Sequence, residues 1–195
     1  MMVPSLPPVL DLAGIAVFAL SGALLAARLR QTIVSMVFFA LVTGVGGGSV
    51  RDPWVAPVIL LTALIAWFTP NRWWEGKMLD WADALGLAVY SVLGTAKALA
   101  WGVEPVPAVL MGVVTGCVGG IIRDVLAGRP SILMRPELYV TAAALAAALC
   151  AAGTLAGLPL FVVWAVAAAA GFALRGAAIV WSLELPGYGR EPRTP

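Results

Sequence analysis

The sequence predicts an all-α polytopic membrane protein, with seven transmembrane helices arranged as an inverted three-plus-three repeat and one extra helix. Three observations predict it. Of 195 residues, 62% are hydrophobic and 11% charged, and mean hydropathy is +0.98. A soluble domain is about half apolar and a quarter charged, so this chain has too few charges to solubilise a surface. Second, apolar runs approaching the roughly 20 residues needed to cross hydrocarbon recur along the chain. Third, Val42-Thr-Gly-Val-Gly-Gly-Gly-Ser-Val-Arg-Asp-Pro53 returns as Val114-Thr-Gly-Cys-Val-Gly-Gly-Ile-Ile-Arg-Asp-Val125, at an offset of 72 residues (114−42 and 123−51).

The spans follow from apolar stretches and the charges that interrupt them. Residues 9–27 form the first, ended by Arg28 and Arg30; residues 32–50 the second, holding the first glycine stretch; residues 54–68 the third, which is short and carries Pro57. A polar loop follows with Arg72, Glu75 and Lys77. Residues 81–101 are the fourth span, 102–107 a turn, and 108–126 the fifth, with the second glycine stretch. After a loop bearing Arg129 and Arg135 come the sixth span, 137–155, a Gly-Leu-Pro turn, and the seventh, 160–183. This is one transmembrane domain, residues 1–183, with repeat one at 9–69, repeat two at 81–155 and a polar tail at 184–195.

Lys and Arg gather in alternate loops: Arg28 and Arg30, then Arg72 and Lys77, Arg129 and Arg135, and Arg190 and Arg193. Basic loops stay cytoplasmic, so the N-terminus is expected outside and the C-terminus inside the cell membrane. Trp54, Trp73, Trp74, Trp81 and Trp101 fall near span ends, where indole rings favour the interface. Residues 1–8 carry no basic n-region of a signal peptide. Cys117 and Cys150 lie in apolar runs and read as buried thiols. The chain has no His and no basic cluster, which argues against imidazole zinc sites and nucleic-acid binding; no cofactor is expected.

The offset extends beyond the glycines: Asp11 matches Asp83, Gly14 matches Gly86, Phe18 matches Tyr90 and Gly22 matches Gly94. Three spans separate each residue from its counterpart, and an odd number of crossings reverses direction. The halves are therefore expected to be inverted about an axis in the membrane plane, with a polar site near the midplane. Glycine costs about 1 kcal/mol per residue in a helix interior, so Gly46, Gly47 and Gly48 mark a kink or unwinding point, with Gly119 and Gly120 as the weaker counterpart. Close helix packing is the alternative, because Gly44 with Gly48, and Gly112, Gly116 and Gly120, have small-xxx-small spacing. The stretch lacks the Gly-Lys-Ser/Thr ending of a phosphate loop and the third glycine of a dinucleotide fingerprint.

Arg51-Asp52 and Arg123-Asp124 end the two glycine helices, as local tethers or as a charged latch at each mouth of a pathway. Asp11 and Asp83 begin spans one and four; if one pairs with its glycine-helix arginine, the repeat predicts the other pair. Lys97 lies inside span four, where a cation costs roughly 2.5–3.5 kcal/mol on insertion scales, and its counterpart is Leu25. It reads as a pathway residue, with snorkelling to the interface as the alternative; Arg175 reads as snorkelling. No nucleophile–base set suggests an enzyme.

The doubled Gly-Gly-x-x-Arg-Asp ending on spans two and five, seven spans, the repeat and the span-four lysine resemble the trimeric intracellular cation channels, and most nearly their prokaryotic members. The resemblance covers residues 11–183. It implies a homotrimer with one pore per protomer, permeation of monovalent cations, chiefly potassium, and pore lining by spans two and five with the glycines at the bends. It implies a link between Lys97 and voltage response. On this view Gly44, Gly46, Gly47, Gly48, Gly116, Gly119 and Gly120 belong to the kinks, and Thr43, Thr115, Ser21 and Ser49 offer hydroxyls beside Lys97 along the route. Potassium or sodium would be the permeant ions, with membrane lipid, including a bound lipid, as the remaining partner. No Thr-Val-Gly-Tyr-Gly filter is present, so potassium-over-sodium discrimination is expected to be modest. A secondary transporter of a small solute is the runner-up, because inverted repeats and broken helices are also transporter architecture. A purely structural or lipid-interacting membrane protein is the third reading.

Overall fold

The computed structural model describes residues 8–46, 52–69, 77–130 and 138–185. Its helices are α1 (Pro8–Arg28), α2 (Ile33–Val45), α3 (Val55–Phe68), α4 (Met78–Ala100), α5 (Pro105–Leu126), α6 (Val140–Leu155) and α7 (Leu160–Trp181). α1, α4, α5 and α7 are long and apolar enough to cross a membrane. α2, α3 and α6 have only 13, 14 and 16 residues. At 1.5 Å per residue, α2 is about 20 Å long, short of a hydrocarbon core about 30 Å thick.

Local chemistry sets several boundaries. α2 starts after Thr32, whose Oγ1 accepts the Ser35 N–H at 3.3 Å. α5 starts at Pro105, not at residue 108 as expected, because proline fits the first turn, where its missing N–H would have had no intrahelical partner. α4 likewise starts at Met78 rather than 81. α7 ends at Trp181, two residues earlier than expected, and its cap Ser182 adopts a left-handed conformation with φ 51°.

Packing repeats between the halves. α1 packs on α2 and α3, and α2 on α3; α4 packs on α5 and α6, and α5 on α6. Glycines make these contacts close, and they do so in equivalent pairs. A methyl group on Gly22 would lie 2.6 Å from Thr43 Oγ1, and one on Gly94 2.9 Å from Thr115 Oγ1. A methyl on Gly44 would meet the Ala19 side chain at 3.2 Å; on Gly116 it would meet Ser91 Oγ at 2.2 Å. Each second pair is the first shifted by 72 residues.

The halves meet through α1 with α4 and through α2 with α5. Phe18 and Tyr90 stack there, ring centroids 5.1 Å apart and planes 10° apart. A methyl on Gly14 would strike the Tyr90 ring at 2.8 Å, and one on Gly86 the Phe18 ring at 2.6 Å. As the contacting residue advances along α1 from 14 to 18, its partner recedes along α4 from 90 to 86. The two helices therefore run antiparallel, and the contacts are reciprocal, as a twofold relation between the halves requires.

α7 stands outside this symmetry and packs on α4 and α6 alone among the principal helix pairs. Alanines on α6 allow its approach: a methyl on Gly171 would lie 2.8 Å from Ala146 Cβ.

Candidate functional site

The charged residues on α1, α4 and α5 form two groups, one per half. In the second half, Arg123 Nη1 donates to Asp83 Oδ1 at 2.7 Å and to Ser21 Oγ at 3.3 Å. Its Nε donates to Asp124 Oδ1 at 3.0 Å, and Nη2 stands 2.9 Å from the same oxygen. Ser21 Oγ in turn donates to the Phe18 carbonyl at 2.9 Å. Arg123 and Asp83 are 3% and 1% exposed. The latch expected at a pathway mouth is thus enclosed by protein. Burial of an arginine is tolerable because two carboxylates and a hydroxyl replace its water, and loss of one partner costs about 3–5 kcal/mol.

Gly120, one turn before Arg123, makes the room. A methyl there would lie 2.5 Å from Tyr139 Oη and 3.0 Å from Asp83 Oδ1. The helix stays continuous through Gly119 and Gly120, so the unwinding expected at this pair is not found. Packing needs the glycine as well: a side chain on Gly120 would collide with Tyr139 and Asp83.

In the first half, Lys97 Nζ lies 3.2 Å from Asp11 Oδ1, with side chains 39% and 17% exposed. Tyr90 Oη donates to the Asp11 carbonyl at 3.2 Å. Lys97 therefore neither snorkels alone nor faces an open route unpaired. Of the two acid–arginine pairs that the repeat relates, Asp83–Arg123 is formed; Arg51 lies outside the described residues, and Asp11 meets Lys97. Asp52 Oδ1 accepts the Trp54 N–H at 2.9 Å, a local turn contact at the start of α3.

The glycine stretches touch. A methyl on Gly46 would lie 3.1 Å from Gly119 Cα, and one on Gly119 3.1 Å from the Thr43 carbonyl oxygen. Gly46 itself keeps helical dihedrals, φ −55° and ψ −28°, and donates to the Val42 carbonyl. Gly47, Gly48 and Ser49 lie outside the described residues. Among the hydroxyls, Thr43 Oγ1 is buried with no hydrogen-bond partner among the described residues. Thr115 Oγ1 instead donates to the Met111 carbonyl at 2.7 Å and faces Gly94 of α4. Gly112 and Gly116 serve the α4–α5 contact, against Thr95 and Ser91.

Arg175 corrects an expectation. It is 1% exposed and lies over the Tyr139 ring, 5.4 Å from its centroid, rather than reaching for the interface. The guanidinium faces inward because Tyr139 offers a buried aromatic face. Tyr139 did not stand out in the sequence; Arg175 did, as an arginine toward the end of an apolar span, a position that also fits snorkelling.

A solved TRIC trimeric intracellular cation channel orthologue from Rhodobacter sphaeroides is 36% identical to this chain, with a TM-score of 0.80, covering 90% of this chain and 98% of that one. The chain belongs to the TRIC family. A second TRIC cation channel structure is 25% identical with a TM-score of 0.77 and covers 98% of that chain. The family model described as Glycine transporter matches residues 8–69 and 80–155. The UPF0126 inner membrane protein YadS of Escherichia coli K12 is 37% identical over 92% of this chain and 94% of its own length. A UPF0126 membrane protein of Vibrio cholerae is 40% identical over 71% of this chain, which spans 64% of that relative. As a member of the TRIC family the chain is a helical membrane protein and not an enzyme.

Proposed function

We propose that this chain is a potassium-permeable channel for monovalent cations, working as a homotrimer in the cytoplasmic membrane with a pathway inside each protomer. The observation that carries the reading is its likeness to the Rhodobacter TRIC channel orthologue across 98% of that chain. The site supports it. Polar groups of α1, α2, α4 and α5 gather where the halves meet, and Thr43 Oγ1 and Asp83 Oδ2 are buried there without a hydrogen-bond partner among the described residues. Buried polar atoms need partners, and water in a permeation route supplies them.

The route runs along the seam between α2 and α5. It is shut where Gly46 meets Gly119, and it conducts when these backbones part. The Lys97–Asp11 pair sets the field at one end. The pair is nearly neutral as a unit, which removes the repulsion that a lone lysine would exert on an entering cation. The N-terminus lies outside and the C-terminus inside, following the basic loops.

A second reading is a carrier for glycine or a similarly small solute. The description of the family model favours it. Recording purified protein in planar bilayers separates the two. Unitary current steps that reverse near the potassium equilibrium potential support the channel. Saturable solute uptake without unitary steps supports the carrier.

A further inference from the structure

The two halves share their glycine contacts, and among the described residues their acids meet different cations, Asp83 with Arg123 and Asp11 with Lys97. Tyr139, the residue just before α6, is 1% exposed, and Trp54, which holds the same place before α3, is 65% exposed. The reason is α7, which covers α4 and α6 of the second half only. It comes close: a methyl on Gly176 would lie 2.9 Å from the Trp81 ring, and Trp81 also contacts Phe172 with centroids 5.5 Å apart. From this face α7 sends Arg175 over Tyr139. Tyr139 Oη and Asp83 Oδ1 lie within 3.0 Å of one point, the site of a methyl on Gly120. Tyr139 Oη and Asp83 Oδ2 are both buried without a hydrogen-bond partner among the described residues. Tyr139 thus lies against Asp83 in the space that Gly120 leaves open.

We propose that Tyr139 and Arg175 are positioning residues that hold the Asp83–Arg123 pair closed. α7 thereby anchors the second half, and movement along the pathway is confined to the Asp11–Lys97 end. The inference rests on the channel reading for its meaning, although not for its measurement. At the anchored end, the ion pair is enclosed and braced by Asp124 and Ser21. At the other, the pair is partly exposed and, among the described residues, braced by one tyrosine hydroxyl to a main-chain oxygen, so it opens at lower cost.

Equivalent thiol reporters test it. Cys117 packs with Leu87 and Tyr139 in the second half. Its 72-residue counterpart is Val45 (117−72). Purified full-length protein in liposomes would be labelled with a small thiol reagent, with and without an imposed membrane potential. Cys117 is followed in a Cys150→Ala background, and Val45→Cys in a background with both native cysteines replaced by alanine. The labelling rate of Val45→Cys should change with potential, while Cys117 stays protected throughout. Tyr139→Phe and Arg175→Gln should each raise Cys117 labelling by about tenfold, the effect expected when a closed segment opens locally. Arg175→Lys, which keeps the cation over the ring, should restore protection. Tyr139→Phe removes one oxygen and so remains informative if Arg175→Gln fails to fold. Cys117 labelling that follows potential in the otherwise native chain overturns the proposal. So does Cys117 that stays protected in Tyr139→Phe, or a Val45→Cys reporter indifferent to potential. A chain that gives no unitary currents defeats the channel reading but leaves these rates readable.

Discussion

Phe18 and Tyr90 occupy equivalent places 72 residues apart, and their rings stack with centroids 5.1 Å apart. A residue that touches its own counterpart sits on the relating axis, so this stack marks where the halves join. Beside it Tyr90 Oη reaches the Asp11 carbonyl, linking the stack to the ion pair at one end.

Loss of the stack should be costly, whereas loss of the hydroxyl should not. Phe18→Ala removes a fully buried ring and is expected to destabilise by about 3–5 kcal/mol. Tyr90→Phe keeps the ring and gives up one hydrogen bond, worth about 1 kcal/mol. Thermal unfolding in detergent, read as Tm, should rank them in that order.

The glycines give a graded prediction. A methyl on Gly22 would stand 2.4 Å from the Phe39 carbonyl oxygen, a backbone atom that cannot swing aside; on Gly44 the nearest contact is 3.2 Å. Gly22→Ala should therefore cost about 1–3 kcal/mol by overpacking, and Gly44→Ala less. Equal Tm values for the two would show that the α1–α2 contact is looser than described.

The two ion pairs should respond differently to mutation. Asp83→Ala strips a buried arginine of its shortest contact, and the expected loss is about 3 kcal/mol or more. Asp11→Asn breaks a partly exposed pair and should cost about 1 kcal/mol or less. Its effect should appear in conduction, where Lys97 is left unneutralised and cation current falls. The exchange Asp11→Lys with Lys97→Asp should recover current if the pair, rather than either residue alone, sets the field. Single-channel recordings of Asp11→Asn and of the exchange decide this.

Much of the fold was legible because a membrane chain writes its helices in apolar runs, and because the repeat could be read by matching residues such as Asp11 with Asp83. Helix ends were less so. The ruler of one membrane thickness began the sixth helix at residue 137 rather than 140, and proline at 105 looked like a turn when it begins a helix. At the site, the repeat made Asp83–Arg123 foreseeable, since both acids precede a glycine helix. It could not reveal Lys97–Asp11, because Lys97 has no equivalent counterpart: position 25 is leucine. Nor could it assign Gly119 and Gly120 to packing rather than unwinding, because glycine permits both and only the neighbours choose. Arg175 and Tyr139 depend on where the unrepeated α7 lands, and no internal symmetry encodes that.

The most direct test is a reversal-potential measurement on purified protein in a planar bilayer with a potassium chloride gradient. Unitary currents reversing close to the potassium equilibrium potential, and reduced in Asp11→Asn, are the expected result. Bilayers that stay silent while liposomes with the same protein accumulate glycine saturably would contradict the channel reading.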